Sequence, residues 1–256
     1  MKIKIDRVLI FSIIIYLSIC LVDAIIFLHN TAINSPEEYT AYSFWQKSRY
    51  GTFNISIAFC MPALIATGSV YRFHQKIKTG FFKNVLTREN YEKFIFIEFI
   101  KSHLKSYFII PLCSIIILLI GCLLYGVDGP KGNVEGTLNA YFSFFNITEN
   151  YFGFALKLIL VTLIYSSFVV NIAWILTRYI KKFYLVICSL IGVIFVSDFV
   201  VMAFLKNTSI VTLYSLDNIN LIKNTIFPCI IMILISNIII FLIYRNKEKV
   251  VLESDK

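Results

Sequence analysis

Three ionisable side chains lie inside long apolar stretches of this sequence, namely Asp23, Lys157 and Asp198. Such groups are costly within a membrane and usually serve ion binding, proton transfer or gating. Each lies four to seven residues from the same end of its stretch, so we expect the three at similar depth. Pairing of Lys157 with Asp198 or Asp23 would offset much of the burial cost. The trio is interpreted either as an outer gate on a substrate path or as a structural arrangement, with Lys157 paired or reaching out to the membrane surface.

Other chemistry is poorly supported by the residue pattern. An intramembrane protease needs paired glutamates or a serine with a histidine partner inside the spans, but His29, His74 and His103 fall at or beyond the predicted membrane edges. No G-x-x-x-x-G-K-[ST] phosphate loop is present, and the glycines around Gly129 have the wrong spacing. We therefore expect neither proteolysis nor ATP hydrolysis on this chain.

The cysteines predict neither a disulfide framework nor a zinc site. All six lie within apolar stretches, none belongs to a CxxC pair, and no cysteine–histidine cluster is present. Their expected role is that of small apolar residues between helices. They are Cys20, Cys60, Cys113, Cys122, Cys188 and Cys229.

The composition explains why Asp23, Lys157 and Asp198 must be considered as groups within a membrane. Of 256 residues, 58% are hydrophobic and 15% charged, and the mean hydropathy is +0.78. A soluble domain carries about 25% charged residues. The chain is therefore predicted to be an integral membrane protein and not a soluble enzyme. The net charge of +9 is divided among segments that flank apolar runs, so we expect lipid and not nucleic acid as its partner.

Six apolar runs are long enough to cross a bilayer core of about 30 Å. They predict an all-α polytopic protein, a single transmembrane domain covering residues 1–256, with no cleaved signal peptide at the first run. The predicted spans are 8–28, 51–71, 107–126, 153–177, 184–205 and 226–244.

The distribution of basic residues predicts the orientation. With the N-terminus inside the cell, the inner segments contain eighteen of the 24 lysine and arginine residues, and the outer segments contain six. Both termini are then cytoplasmic. The longest inner segment is 72–106, and the outer segment 206–225 has an amphipathic pattern that indicates a helix at the membrane surface.

The inner segment 72–106 contains a break at Gly80 followed by a short amphipathic helix. Phe81, Phe82, Val85 and Leu86 share one face of it, and Thr87 is placed to cap the next helix. That next helix is predicted to run from 88 to 126, about 58 Å, with a kink at Pro111. The short helix is either a docking element held away from the membrane or an interfacial helix on anionic lipid.

The pattern Gly-x-x-Lys-Asn-x-x-Thr-Arg from Gly80 to Arg88, between spans two and three, resembles the membrane subunits of ABC-2 type transporter permeases. The resemblance implies a type V exporter-like architecture, a bacterial cell membrane location and a second permease subunit, identical or different. It also implies two copies of a cytoplasmic ATPase, which would hold the ATP and Mg, with no cofactor on this chain. The residues assigned to coupling with the ATPase are Gly80, Phe81, Phe82, Lys83, Asn84, Val85, Leu86, Thr87, Arg88 and Tyr91.

The resemblance favours an amphipathic or hydrophobic substrate, such as an exported antimicrobial peptide. The sequence itself specifies neither the substrate nor the direction of transport. A secondary transporter that uses Asp23, Lys157 and Asp198 is the first alternative, and a membrane assembly subunit without transport is the second. A cation channel is disfavoured because no selectivity-filter sequence lies between spans five and six.

Overall fold

The computed structural model describes residues 7–34, 41, 44–45, 48, 54–79, 91–125, 151–205, 208–211, 213 and 219–245. In these ranges the regular structure is entirely helical. The eight helices of four or more described residues in succession are α1 (Arg7–Asn34), α2 (Asn54–Ser69), α3 (Tyr71–Lys78), α4 (Tyr91–Ile109), α5 (Pro111–Tyr125), α6 (Tyr151–Tyr179), α7 (Phe183–Phe204) and α8 (Ile219–Arg245).

Five segments are long and apolar enough to cross a membrane, which confirms the predicted all-α membrane protein. They lie in α1, in α4 and α5 together, in α6, in α7 and in α8. The predicted span 51–71 corresponds to α2, which has 16 residues and is about 24 Å long, short of the hydrocarbon core. Within the described residues five segments therefore have membrane length, and the crossing predicted at 51–71 stays a prediction.

Helices α4 and α5 form one rod of 35 residues, about 52 Å long, interrupted at Ile110. Proline at position 111 has no N–H for the helical ladder, so the chain turns there, where the sequence predicts a kink. The ladder resumes with the Ser114 N–H donating to the Ile110 carbonyl at 2.8 Å. The rod is longer than a bilayer core, so one of its ends projects beyond the hydrocarbon.

Helix α6 is the centre of the bundle. It packs against α2, α4, α5, α7 and α8, and it is the most buried of the five membrane-length segments. Trp174 and Phe168 on α6 are among the largest fully buried side chains. By contrast, α7 and α8 expose rows of large apolar residues, such as Phe199, Phe204 and Phe241. In a membrane protein these outer faces meet lipid tails or another apolar helix.

Close packing of three helices depends on Gly68 of α2. A Cβ atom at this position would lie 2.7 Å from Ile109 Cδ1 on α4 and 3.1 Å from Ser12 Oγ on α1. A larger residue here would require the Ile109 side chain to move, so glycine permits the close approach that is usual for small residues between membrane helices.

Uncharged polar groups join the central helix to its neighbours. The Asn171 amide on α6 donates to Ser236 Oγ at 2.8 Å and to Asn237 Oδ1 at 2.9 Å, both on α8. Ser167 Oγ on α6 lies 2.9 Å from the Tyr107 hydroxyl on α4. Such bonds hold membrane helices together at modest energy, about 0.6 kcal/mol each on average.

Candidate functional site

Helix α3 lies against the end of the bundle formed by the C-terminal ends of α6 and α8. Its sequence is amphipathic: Phe73, His74 and Ile77 fall on one face and are buried, whereas Arg72 and Gln75 are exposed. The helix has only eight residues, too few to be stable by intrinsic propensity, so packing against the bundle stabilises it. It is the element that leads directly into the predicted docking segment.

An aromatic cluster fixes the apolar face of α3. The Phe73 ring stacks on Trp174, with ring centroids 3.6 Å apart, and Trp174 meets Tyr244 at 5.4 Å and Phe99 at 5.3 Å. The Tyr244 hydroxyl donates to the Trp174 carbonyl at 3.1 Å, which ties α8 to α6. One cluster thus joins α3, α4, α6 and α8 at a single level.

His74 connects α3 to the turn between α6 and α7. Its Nε2–H donates to the Ile180 carbonyl at 3.1 Å, and its ring packs edge-on against Phe183 at 5.3 Å. Burial lowers the pKa of His74 below its ordinary value of 6.5; the bond to Ile180 opposes this shift, and the positive charge of Lys78 adds to it. The imidazole therefore docks in its neutral form at pH 7.

An ion pair connects α3 to α4. Glu98, only 8% exposed, accepts from Lys76 at 3.0 Å and from Lys101 at 3.3 Å. The Lys76 ammonium also lies 5.5 Å from the centre of the Phe94 ring. Removing one partner of a half-buried pair leaves the other charge poorly solvated, so this contact matters more than an exposed ion pair.

The structure describes the predicted coupling segment only at its borders. Gly80, Phe81, Phe82, Lys83, Asn84, Val85, Leu86, Thr87 and Arg88 lie outside the described residues. Tyr91 is described: it is 1% exposed at the first position of α4. Ile77, near the end of α3, is also 1% exposed. The described residues on either side of segment 80–90 therefore belong to two packed helices, α3 and α4.

Asp198 holds the connection that follows α7. Its Oδ1 accepts a hydrogen bond from Ser209 Oγ at 3.0 Å and from the backbone N–H groups of Ile210 and Val211, the latter at 3.3 Å. Thr225 on α8 accepts the Ser209 N–H at 2.9 Å. These are the partners that a structural carboxylate requires.

The other two members of the predicted trio are only partly described. Asp23 is 2% exposed on α1, whose main neighbours are α2, α4 and α5, whereas α7 with Asp198 packs on α6 and α2. Lys157 lies within α6, and its side chain is outside the description. The predicted pairing of Lys157 therefore stays a prediction.

A cavity of about 330 Å³ separates α4 from α8 at the level of the aromatic cluster. Its walls are mostly apolar and include Phe96, Phe99 and Phe241, with Asn237 at one end and Glu92 and Arg245 at the other. Sequence reasoning missed this cavity because it depends on the distance between two helices far apart in the chain.

Two further groups were also missed, Glu98 and Trp174. The spacing of Glu98 and Lys101 was a usable signal for a local pair, as was the position of Glu98 within the apolar run 94–100. No sequence signal places Trp174 against Phe73, because the two are separated by about a hundred positions.

The fold defines a polytopic α-helical membrane protein whose short amphipathic helix α3 is fixed at one end of the bundle. Beyond that class the comparisons add no relative: no family model, no curated protein and no solved structure matches this chain.

Proposed function

We propose that this chain is the membrane subunit of an ATP-driven transporter of the ABC-2 permease type. In this proposal it crosses the bacterial cell membrane six times, with α2 as the additional crossing and both termini in the cytoplasm. It pairs with a second permease subunit and with two copies of a soluble ATPase, which bind ATP and Mg. Its substrate is amphipathic or hydrophobic, such as an exported peptide.

The observation that supports this proposal is the anchoring of both ends of segment 80–90. On the N-terminal side α3 is held by Phe73 on Trp174 and by Lys76 on Glu98. On the C-terminal side the buried Tyr91 starts the α4–α5 rod. A partner that displaces the segment would therefore act directly on two packed elements, α3 and the α4–α5 rod.

The connections define two routes for such a displacement. One route passes along α4 to the break at Ile110, about 28 Å from Tyr91 along the helix axis. The other passes through α3 to the Ile180 carbonyl, between α6 and α7. Movement of the ATPases would thus reach the central helix as well as the rod, which is what alternating access at a subunit interface requires.

A secondary transporter is less well supported. Its coupling site would need Asp198 to exchange protons or ions, yet the Asp198 Oδ1 atom is already engaged by three donors at the end of α7. An ion-coupling site needs a carboxylate whose partners can exchange, whereas these three donors hold the Asp198 Oδ1 atom against the segment that follows α7.

The test is photocrosslinking in native membranes with benzoylphenylalanine in place of Phe82. The matched control has the same probe in place of Tyr184, an exposed aromatic residue at the start of α7, at the same end of the bundle as α3. We expect Phe82, and not Tyr184, to yield a crosslink to a soluble protein that contains a phosphate-binding loop. Crosslinks from Phe82 to lipid alone would support the interfacial alternative and overturn the proposal.

A further inference from the structure

The cavity between α4 and α8 is built like a lipid site. Its charged residues, Glu92 and Arg245, lie in the first turn of α4 and at the last residue of α8, which places both at the α3 end of the bundle. Asn237 lies eight residues before Arg245, about 12 Å along α8. The cavity therefore has a charged mouth near the membrane boundary and an apolar interior that extends into the hydrocarbon.

The interior suits an acyl chain. Between the mouth and Asn237 the lining consists of Ile95, Phe96, Phe99, Ile240, Phe241 and Tyr244. Phe96 and Phe241 are 63% and 65% exposed, so the cavity opens sideways toward the lipid and not into the protein core. A volume of about 330 Å³ is at the lower end of the range for small-molecule sites.

The mouth suits a head group with charges of both signs. Glu92 is negative and Arg245 positive, and both line the same cavity. A zwitterionic head group would place its ammonium beside the Glu92 carboxylate and its phosphate beside the Arg245 guanidinium, which binds phosphate through directed N–H bonds. An anionic head group would gain from Arg245 but be repelled by Glu92.

We propose that this cavity binds one acyl chain of phosphatidylethanolamine, with its head group at Glu92 and Arg245. The proposal rests on the membrane-embedded fold and is independent of ATP-driven transport. It identifies a lipid-facing opening in the wall of the bundle. Because the opening borders the aromatic cluster that supports α3, bound lipid would reinforce the packing of α4 against α8.

Trp174 provides a direct reporter. It is fully buried, but it contacts Phe99 and Tyr244, which line the cavity. The chain has two tryptophans, so Trp45→Phe leaves Trp174 as the single emitter. Bromine atoms on an acyl chain quench tryptophan only at short range. A chain in the cavity should therefore quench Trp174, whereas lipid on the outer face of α8 should not.

The experiment uses the purified Trp45→Phe chain in vesicles of brominated phosphatidylethanolamine or brominated phosphatidylglycerol, each diluted with its unbrominated form. We expect strong quenching by the first lipid and weaker quenching by the second. Arg245→Gln should reduce the preference for phosphatidylethanolamine over phosphatidylglycerol by about two- to fivefold, which corresponds to the energy of an exposed charge pair. Ile95→Phe, which places a bulkier side chain in the cavity lining, should reduce the quenching.

The matched control is Ile238→Phe, the same substitution at a site on α8 that is 60% exposed and absent from the cavity lining. Brominated lipid should quench Trp174 in this variant as strongly as in the parent. That result excludes a general effect of the added ring. Equal quenching by both lipids that Arg245→Gln does not change would overturn the head-group assignment. Absence of quenching in the parent would show that side chains or a second copy fill the cavity, and would overturn the proposal.

Discussion

Replacing Asp198 separates a structural role from a gating role at this position. The carboxylate accepts three hydrogen bonds from the segment after α7, and the residues that donate two of them, Ser209 and Ile210, are 3% and 1% exposed. Asp198→Ala leaves three donors without an acceptor. At about 1–3 kcal/mol for each buried unsatisfied group, the two buried donors alone should cost about 2–6 kcal/mol.

Asp198→Asn is expected to be much milder. Its amide oxygen can still accept the bonds, but it lacks the negative charge that roughly doubles the strength of such contacts. We expect a loss of about 1–2 kcal/mol. Ser209→Ala removes one donor and should cost about 1 kcal/mol in the parent but little once Asp198 is alanine.

The assay is the midpoint of thermal unfolding in detergent for the parent, Asp198→Ala, Ser209→Ala, the double variant and Asp198→Asn. Transport or complex formation is then measured at a temperature where all five proteins are folded. The structural account predicts non-additive losses and normal function for Asp198→Asn. Additive losses for Asp198→Ala and Ser209→Ala would refute the hydrogen-bond assignment. Normal stability of Asp198→Asn with loss of function would restore the gate interpretation.

Three further predictions concern the connections of α3 and α6. Phe73→Ala should cost about 3–5 kcal/mol by removing the ring stacked on Trp174, and proteolysis or hydrogen exchange should then show α3 released before the rest unfolds. Acidification should also release α3: because burial lowers the pKa of His74, the stability it contributes is complete above about pH 6.5 and is lost as the pH falls below that value. Exchange protection of α3 relative to α7 should show this loss in the parent and not in His74→Gln; the same acid response in both would contradict the assignment. Asn171→Leu should cost about 1 kcal/mol, measured by thermal unfolding, because two bonds to α8 are lost; an unchanged midpoint would show that the α6–α8 contact does not depend on them.

Much of the fold was predictable because it depends on local properties of the chain. Apolar runs located α6 and α7 to within a few residues, and Pro111 marked the break between α4 and α5. Helix α8 begins at Ile219, so residues 219–225, predicted as part of a separate surface helix, are continuous with the predicted span 226–244. Helix α3 was included in a loop, since its pattern of Phe73 and Ile77 spans only two turns.

The site was less predictable because its partners are distant in sequence. Asp198 was correctly singled out as a charge in an apolar helix, but its position alone did not identify backbone N–H groups as its partners. The meeting of Phe73 with Trp174 and the gap between α4 and α8 both depend on how helices pack. Such contacts arise from three-dimensional complementarity, which a single sequence does not display.

The most direct test of the central claim is the composition of the complex that the intact chain forms. The tagged protein would be purified in mild detergent from native membranes, and its companions identified by mass spectrometry and assayed for ATP hydrolysis. The account predicts a stoichiometric ATPase that is lost with Phe82→Asp and kept with Lys181→Asp, a charge change in the exposed turn between α6 and α7. A chain that purifies without an ATPase, from cells that express its neighbouring proteins, would contradict the account.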